Sequence, residues 1–493
     1  MDHVAAASSS HTTNEAIWNS VCVLGLGRTG FAVARYLVQT GAHGKPAVTL
    51  YGGANAFESD QSRELEALGV RVVCGTEQIE GHYDLAVVSP GIPENSAFFL
   101  SAREHADELI GEPEFAWRET PERWVAITGT NGKTTTTLLT TELLSGDGSS
   151  AQAVGNVGTA ATGQVAAREE GCWFVAELSS FQLATTKLMH PRAACLLNVT
   201  PDHLEWHGSM EAYAAAKEQV FANLTSDELC VLGTADQWCL DAAARLDARG
   251  MRVCRVSTTD DPGTPCAAFV RDGKLVVRLD GQERVLVATD ELSLKGEHNV
   301  QNVLCASAMA LDLGATLAHV REVLRSFAPL EHRIEPCGEL AGVQFVNDSK
   351  GTNVDSVEKA LTAFPARRVI VLLGGHDKGT TLESLSRAVC AQCKAAVCYG
   401  EAGPRMAQAL RDEASAAADK SALEICEAPH MEQALHKAIE LAVSGDVVLL
   451  SPACSSFDEF KSYGERGRVF KDLVAAHIAA SQDKDAASGG LHE

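Results

Sequence analysis

The stretch AITGTNGKTT at residues 126–135 follows apolar residues that begin at Trp124 and leads into the helical segment TTTTLLTTELL. A strand, a glycine turn, and then Lys and Thr at a helix N-terminus is the geometry that cradles phosphate. The loop is shorter than the pattern G-x-x-x-x-G-K-[ST], because Ile127 stands where the first glycine should be. Lys133 still has the position that reaches terminal phosphates, and Thr134 the position that holds Mg²⁺. A plain strand-to-helix turn would explain the glycines but not the run of threonines, which are poor helix formers.

The rest of the chain alternates short apolar runs with Ala-rich helical periods. Such runs, closed by Gly, Ser or Asp, predict strands buried on both faces, and the helices between them predict parallel sheets. We therefore expect an α/β fold whose ligands bind at the carboxyl ends of the strands. The predicted strands are residues 21–24, 48–51, 85–89, 125–128, 174–177, 194–198, 369–373 and 447–451.

The length of 493 residues predicts several domains rather than one core. Breaks in the pattern fall at the segments GEPEFAW and SFAPLEHR. We expect three domains, at residues 1–111, 112–328 and 329–493, with flexible tails at residues 1–17 and from about 482 to 493.

Composition restricts the partners and the compartment. A net charge of −24 argues against general nucleic-acid binding, which needs basic surface. The N-terminus lacks the features of a signal peptide, and no apolar stretch is long enough to span a membrane. The 15 cysteines lie scattered in apolar segments, which indicates reduced thiols in a cytoplasmic protein. We place the single C-x-x-C, Cys390 and Cys393, on an amphipathic helix, and we favour packing over redox or zinc function there.

The segment Gly25-Leu26-Gly27-Arg28-Thr29-Gly30 matches the dinucleotide-binding fingerprint G-x-G-x-x-G. An NAD site also needs an acidic residue at the end of the next strand, but that strand ends in Tyr51-Gly52. The pattern therefore disfavours a dehydrogenase and predicts a Rossmann-like domain that holds another phosphate at a helix N-terminus. A glycine-rich packing turn without a ligand is the simpler alternative.

Four further residues are candidates for chemistry. Glu177 ends a predicted strand, where a carboxylate beside a phosphate loop can hold Mg²⁺, and a solvated Glu explains the spacing about as well. His203 and His207 form H-x-x-x-H without further zinc ligands, so zinc is disfavoured. Lys217 lies on the apolar stripe of the predicted helix SMEAYAAAKEQVFANL. It either extends its amine to solvent or is buried with a lowered pKa and a neutral, reactive amine.

A set of motifs in one order is more specific than any of its members. The segments GTNGKTT, ELSSFQL, NVTPDHL, YAAAK, GEHNVQN, EHRIE, NDSKGTN, GGHDKG and SPACSSFDEFKSYGERG resemble those of the Mur ligases of bacterial cell-wall synthesis. The resemblance extends from about Trp18 to His477. The motif SPACSSFDEF is similar to that of the D-glutamate-adding branch of the family.

The resemblance implies a Rossmann-like N-terminal domain for a UDP-sugar, a central P-loop-type ATPase domain with a mainly parallel sheet, and a Rossmann-like C-terminal domain for an amino acid. It also implies the reaction. ATP phosphorylates the terminal carboxylate of UDP-N-acetylmuramoyl-L-alanine, and the amine of D-glutamate then displaces phosphate to form an amide. A cytoplasmic monomer with small-molecule substrates, and no nucleic acid or membrane partner, is expected.

The resemblance also assigns residues by position. Catalytic roles fall to Lys133, Glu177, His203 and Lys217. ATP contacts fall to Gly129, Thr130, Asn131, Gly132, Lys133, Thr134, Thr135, Asn299, Asn302, Arg333 and Asp348. Two Mg²⁺ ions are implied, with the ligands Thr134, Glu177, His203 and Lys217, and Lys217 is implied to be a carbamate formed with CO₂. Contacts to the UDP-substrate fall to Thr29, Ser89, Pro90, Gly91, Asn156, Ser179 and Gln182. Contacts to D-glutamate fall to Lys350, Thr352, Lys378, Ser456 and Tyr463.

The second strand departs from this pattern, because Tyr51-Gly52 stands where a polar contact to uridine is expected. Two other classes of function remain open. One is another Mur-type or folylpolyglutamate-type ligase, which shares the central domain. The other is a non-catalytic nucleotide-binding regulator, which would need a broken site.

Overall fold

The computed structural model describes residues 18–489, except residues 147, 158, 295, 328–330, 378 and 417–422. It leaves out the side chains of residues 42, 205, 297, 355, 416 and 482–489. The described strands form three sheets, which follow one another along the chain. The predicted N-terminal tail lies outside the described residues.

The first sheet is parallel, with the strand order β3-β2-β1-β4-β5. Its strands are β1 (Ser20–Leu24), β2 (Ala47–Tyr51), β3 (Arg71–Val73), β4 (Tyr83–Val88) and β5 (Ala106–Gly111). Its helices are α1 (Arg28–Thr40), α2 (Asp60–Ala67) and α3 (Ala97–Glu104), with a short 3₁₀ helix at Ala42–Gly44, and α4 (Glu112–Glu119) leads to the next sheet. The strand order reverses between β1 and β4, which is the place where open α/β sheets bind ligands.

The second sheet has nine strands in the order β14-β13-β12-β11-β10-β9-β6-β8-β7. They are β6 (Trp124–Thr128), β7 (Ala151–Gly155), β8 (Trp173–Glu177), β9 (Ala193–Leu196), β10 (Leu229–Gly233), β11 (Arg252–Ser257), β12 (Cys266–Arg271), β13 (Lys274–Leu279) and β14 (Gln282–Ala288). Its helices are α5 (Lys133–Leu144), α6 (Thr162–Val165), α7 (Ser180–Ala184), α8 (Leu204–His207), α9 (Met210–Glu218), α10 (Gln237–Ala248), α11 (Glu297–Asp312) and α12 (Leu317–Ser326). Short 3₁₀ helices lie at Gln219–Phe221 and Thr289–Glu291. Only the β12–β13 and β13–β14 pairs are antiparallel among the described strands of this sheet.

An arginine of α12 covers part of the outer strand of this sheet. Arg321 donates from Nε to the carbonyl oxygen of Leu286 at 3.0 Å and from a terminal guanidinium nitrogen to that of Val285 at 2.6 Å. Both carbonyl groups belong to β14.

The third sheet has the order β15-β16-β20-β17-β18-β19 and is parallel apart from the β15–β16 pair. Its strands are β15 (Glu335–Leu340), β16 (Val343–Asn347), β17 (Val369–Gly374), β18 (Cys393–Tyr399), β19 (Glu424–Ala428) and β20 (Val447–Ala453). Its helices are α13 (Val354–Leu361), α14 (Glu383–Gln392), α15 (Gly403–Ala416), α16 (Met431–Leu441) and α17 (Tyr463–Gly489). Helix α17 continues past residue 482, where a tail was predicted.

The predicted α/β class is confirmed, and each predicted strand is present with its ends shifted by at most two residues. The placement of both C-x-x-C cysteines on one helix was wrong. Helix α14 ends at Gln392, and the buried Cys393 is the first residue of β18, because it continues into the apolar run of a central strand. Among the described residues, no helix has the length and apolar character to cross a bilayer.

Candidate active site

The phosphate loop lies between β6 and α5, as the sequence predicts. Gly132 stands at the start of α5 with φ of 83°, in the left-handed region, and none of the described side chains caps the helix there. The amides of the first helical turn therefore remain available to an anion. A Cβ at Gly132 would overlap the side-chain oxygen of Asn302.

We expect Gly132→Ala to weaken ATP binding at least about tenfold, because left-handed strain alone costs about 1–2 kcal/mol and the methyl group also displaces Asn302. The measurement is the dissociation constant of ATP by calorimetry. Gly273→Ala is the matched control, because Gly273 has φ of 70° but no heavy atom within 4 Å of the added Cβ. Equal ATP affinity in the two variants would contradict a phosphate-binding role for this turn.

Two lysines of the site donate to the same loop carbonyl. Lys133 Nζ lies 2.9 Å from the carbonyl oxygen of Gly129, and Lys217 Nζ lies 2.8 Å from it. Burial lowers the pKa of both amines, and the charge of Lys133 lowers the pKa of Lys217 further. Glu177 and Asp202 act in the opposite direction on both pKa values. This arrangement favours a neutral amine on Lys217.

Lys217 is buried, with an exposed fraction of 2%, so it does not extend its amine to solvent. It lies in the last turn of α9, with Nζ 4.5 Å from the centre of the Tyr213 ring. The Tyr213 hydroxyl lies 3.0 Å from Thr130 Oγ1, and this contact ties α9 to the phosphate loop. The sequence analysis did not single out Tyr213, although it shares the apolar stripe with Lys217.

Glu177 ends β8 inside the protein, with an exposed fraction of 2%. Asn156 Nδ2 donates to its Oε1 at 2.7 Å, whereas Oε2 is buried without a partner among the described residues. A buried carboxylate oxygen without a partner is costly unless a cation or a donor group meets it. Together with the Thr134 hydroxyl, this oxygen fits the ligand set of Mg²⁺.

His203 and His207 do not act as a pair. His203 precedes α8 with φ of 52°, and its Nε2 lies 3.6 Å from Asp202 Oδ2. His207 faces Ser180 Oγ at 2.9 Å, and burial lowers its pKa to about 4. Within the described residues, no group of three or more His, Cys, Asp or Glu side chains could hold a metal ion. A second metal site at His203 would thus depend on oxygen ligands from other groups.

A cavity of about 350 Å³ lies between the second and third sheets. It brings together residues assigned to ATP from both sides, namely Asn131, Gly132, Asn302, Arg333 and Asp348, as well as Lys350. Asn198, which the sequence analysis did not single out, also lines it. Thr135 and Asn299 instead line a neighbouring cavity of about 680 Å³, which shares Arg333 with the first.

Lys350 connects the third sheet to the phosphate loop. Its Nζ donates to Thr134 Oγ1 at 2.7 Å and lies 5.6 Å from the centre of the Tyr463 ring. Burial lowers the pKa of Lys350 to about 8. The same hydroxyl that is expected to hold Mg²⁺ therefore already faces a cation from the C-terminal part of the chain.

Two segments that carry positions assigned to D-glutamate are joined by an arginine that the sequence analysis missed. Arg466 is fully buried, and its guanidinium donates to Ser349 Oγ and to the carbonyl oxygens of Ser349, Cys454 and Ser455. It thereby joins the NDSKGTN and SPACSS segments. Ser456 follows Ser455 in the chain and has a buried hydroxyl without a partner among the described residues. Thr352 follows Lys350 in a turn, whereas Lys378 lies outside the described residues.

The positions assigned to the UDP-substrate fall into two places. Thr29 lies in the first turn of α1, and Ser89 donates its backbone amide to Leu24, so both lie at the β1–β4 reversal. Pro90 and Gly91 continue from Ser89, and no heavy atom lies within 4 Å of a Cβ built at Gly91.

The second place is the β8–α7 turn. Ser179 and Gln182 bond to each other there in a capping box, next to Asn156 on Glu177. The departure at the second strand has a simple cause, since the Tyr51 hydroxyl is buried against the Tyr83 hydroxyl at 3.0 Å.

Comparison with known proteins gives the class of this fold and site. Residues 127–310 match the Mur ligase middle domain, and residues 332–454 match the Mur ligase glutamate ligase domain. A pseudomurein peptide ligase type C from Methanothermus fervidus superposes with a TM-score of 0.56 at 15% identity, covering 93% of this chain and 100% of that one. UDP-N-acetylmuramate–alanine ligase from Thermotoga maritima gives a TM-score of 0.55 at 18% identity, covering 93% and 99%. The three-sheet fold is thus that of the Mur ligases.

Sequence relatives narrow this class. The UDP-N-acetylmuramoylalanine–D-glutamate ligase of Acidobacterium capsulatum is 38% identical over 477 residues, which cover 95% of this chain and 98% of the relative. The enzyme of the same name from Geobacillus kaustophilus is 37% identical over 458 residues, covering 92% and 97%. The chain belongs to the family of UDP-N-acetylmuramoylalanine–D-glutamate ligases, which confirms the resemblance drawn from the motifs.

Proposed function

We propose that this chain joins D-glutamate to UDP-N-acetylmuramoyl-L-alanine by ATP-dependent amide formation, a step of peptidoglycan precursor synthesis. The observation that carries the proposal is the contact of Lys350 with Thr134. A cation from the amino-acid-binding side reaches the phosphate loop, so one site can hold a terminal phosphate and the acceptor of the acyl group together. Such gathering of anionic reactants is the main task in phosphoryl transfer.

The first step places a carboxylate beside ATP. We infer that the loop amides and Lys133 bind the triphosphate, and that Thr134 and Glu177 hold Mg²⁺, which neutralises phosphate charge when bound. The carboxylate oxygen of UDP-N-acetylmuramoyl-L-alanine attacks the γ-phosphorus, and ADP leaves. Lys350 then balances the negative charge of the resulting acyl phosphate.

The second step forms the amide. The uncharged amine of D-glutamate attacks the acyl carbon, and the tetrahedral intermediate expels phosphate as the nitrogen loses a proton. We propose that Ser456, Thr352, Tyr463, Lys350 and Lys378 contact D-glutamate, and that Arg466 positions the segments that carry most of them.

Lys217 is proposed to act as a carbamate. Its neutral amine would attack CO₂ and lose a proton, which replaces a nitrogen donor by two carboxylate-like oxygens. Burial and the charge of Lys133 support this proposal, because both lower the pKa of Lys217 and thereby favour the unprotonated amine. With His203, the carbamate would complete a second Mg²⁺ site, because Mg²⁺ prefers oxygen ligands.

The UDP-substrate is proposed to lie across the β1–β4 reversal, against Thr29 and Ser89–Gly91, with its muramoyl part near Asn156, Ser179 and Gln182. The buried Tyr51 makes a uridine contact from the end of β2 unsuitable.

We propose domain limits at 111/112 and 328/329, supported by the three sheets, and a cytoplasmic monomer. Sedimentation velocity tests the oligomeric state.

The deciding experiment measures phosphate release from ATP with UDP-N-acetylmuramoyl-L-alanine and one amino acid at a time. D-Glutamate, L-glutamate, L-lysine and meso-diaminopimelate form the panel. We expect release to depend on D-glutamate. Dependence on another amino acid would assign a sibling ligase, and release without any amino-acid dependence would contradict amide formation with D-glutamate. No release would support a non-catalytic regulator.

Asp348 should make nucleotide binding sensitive to acid. Burial raises its pKa to about 6, although Ser451 Oγ donates to it at 2.6 Å. If Asp348 accepts hydrogen bonds from the ribose, ADP affinity should fall as the pH drops through 6, because the protonated carboxyl loses acceptor capacity. Calorimetry between pH 5 and 8 measures this. Asp348→Asn should bind ADP more weakly and without this pH dependence; an unchanged acid dependence in that variant would assign it to another group.

A further inference from the structure

The first turn of α13 lies directly against the phosphate loop. Ser356 Oγ donates to Asn131 Oδ1 at 2.7 Å, and Asn353 Nδ2 donates to Asp202 Oδ2 at 3.4 Å. Ser356 and Asn353 belong to the C-terminal sheet region, whereas Asn131 and Asp202 belong to the central one. These two contacts therefore cross the same boundary as the contact between Lys350 and Thr134.

The central partner of Ser356 is held in a fixed position. The backbone amide of Asn131 donates to Asn198 Oδ1 at 2.9 Å, and Asn198 Nδ2 donates back to the carbonyl oxygen of Asn131 at 3.1 Å. This reciprocal pair fixes the backbone of Asn131 within the loop, from which its side chain reaches Ser356. Ser356 thus contacts the formed loop rather than a mobile surface group.

The side-chain amide of Asn353 makes two contacts, one through its oxygen and one through its nitrogen. Its Oδ1 accepts the backbone amide of Ser356 at 2.8 Å and caps α13, and its Nδ2 faces Asp202. The cap fixes the direction of Nδ2 because the two atoms share one planar group. The contact with Asp202 is therefore oriented by the helix itself.

We propose that Ser356 and Asn353 are positioning residues that latch the C-terminal domain onto the phosphate loop and thereby set Lys350 at Thr134. Lys350 lies three residues before Asn353 on the same segment, so a displacement of the first turn of α13 also displaces Lys350. The effect on turnover rests on the proposed function, whereas the effect on domain closure does not.

The competing explanation is that Ser356 binds the nucleotide directly, because it also lines the cavity of about 350 Å³. Asn353 is absent from that lining, so a variant of Asn353 separates the two explanations. Asn353→Asp keeps the capping oxygen but places a second carboxylate opposite Asp202, which disfavours closure. The double variant with Asn353→Asp and Asp202→Asn swaps the two side chains and restores one amide donor opposite one carboxylate.

The experiment uses the full chain and measures the radius of gyration by small-angle X-ray scattering, hydrogen exchange of the α13 segment, and the turnover rate. We expect Ser356→Ala to lower the closed fraction and kcat about three- to tenfold, as for the loss of one hydrogen bond, and Ser356→Thr to restore both. Asn353→Asp should open the domains, and the double variant with Asn353→Asp and Asp202→Asn should close them again. Ser415→Ala, an exposed serine of α15 bonded only to its own helix, is the control and should match the wild type.

Two results would overturn the latch. One is unchanged scattering and hydrogen exchange in both Ser356→Ala and Asn353→Asp. The other is weaker ADP binding in Ser356→Ala with unchanged scattering, which would make Ser356 a nucleotide ligand. If Asn353→Asp does not fold, the comparison of Ser356→Ala with Ser356→Thr decides. If the wild type shows no ligase activity, the scattering and hydrogen-exchange results still test the latch. Failure of the proposed function can therefore be distinguished from failure of the latch.

Discussion

Lys217→Ala should lose ligase activity by about 10³-fold, with a folded protein and little change in the thermal midpoint. The reason is electrostatic, since the proposed carbamate would supply oxygen ligands where ATP and a carboxylate bring many negative charges together. Removal of the buried amine also removes its desolvation cost, and the Gly129 carbonyl keeps its bond to Lys133, so both offset the lost packing of the side chain. The measurement is kcat for D-glutamate-dependent phosphate release.

Chemical rescue separates the carbamate from an ordinary lysine. Short carboxylates such as acetate should restore part of the activity of Lys217→Ala, because they return an oxygen ligand to the vacated space. The wild type should lose activity in CO₂-free buffer and regain it with bicarbonate. Lys437→Ala, at an exposed position of α16, is the control and should retain full activity. Wild-type rates in Lys217→Ala would rule out the carbamate role.

Arg466→Met should destabilise the C-terminal domain by at least about 3 kcal/mol, because it removes four hydrogen bonds that the buried guanidinium donates. Methionine fills a similar volume, so the loss reflects the hydrogen bonds and not a cavity. At conditions where the variant remains folded, D-glutamate-dependent activity should fall about 100-fold, since the segments that carry Lys350 and Ser456 lose their common support. Urea unfolding and steady-state kinetics measure the two effects.

Arg468→Met is the matched control for Arg466→Met. Arg468 lies two residues further along α17 and is exposed, so its loss should change neither the unfolding free energy nor the rate appreciably. An equal effect of both substitutions would show that positive charge on α17, rather than the bonds of Arg466, matters. A stable but inactive Arg466→Met would instead assign Arg466 to substrate binding.

The contrast between Lys217 and Arg466 shows which buried charged residues can be identified from the sequence pattern. Lys217 was found because it lies on an apolar helical stripe, although the pattern alone could not decide between burial and a solvent-directed amine. Arg466 carries the same signal, since Phe470 and Val474 follow it at helical spacing and are fully buried. The signal was available but was not used, because the Gly-rich start of the helix concealed its period.

The antiparallel edge of the central sheet gives a similar lesson. Strands β12–β14 were not predicted, because no helix separates one from the next, unlike the apolar runs that indicate parallel strands. Their two turns are nevertheless Asp-Gly pairs, at Asp272-Gly273 and Asp280-Gly281, and all four residues have positive φ. Asp-Gly between alternating strands is a strong hairpin signal. By contrast, the contact of Lys350 with Thr134 joins residues more than 200 positions apart, and no local pattern specifies it.

The arginine on the outer strand of that sheet has a consequence for the behaviour of the protein in solution. An outermost strand with unpaired carbonyl groups is a template on which a strand of another molecule can add. Arg321 occupies the carbonyl oxygens of Val285 and Leu286 and places a charge where an incoming backbone would need to lie. We therefore expect Arg321 to disfavour the addition of a foreign strand at the β14 end of the sheet.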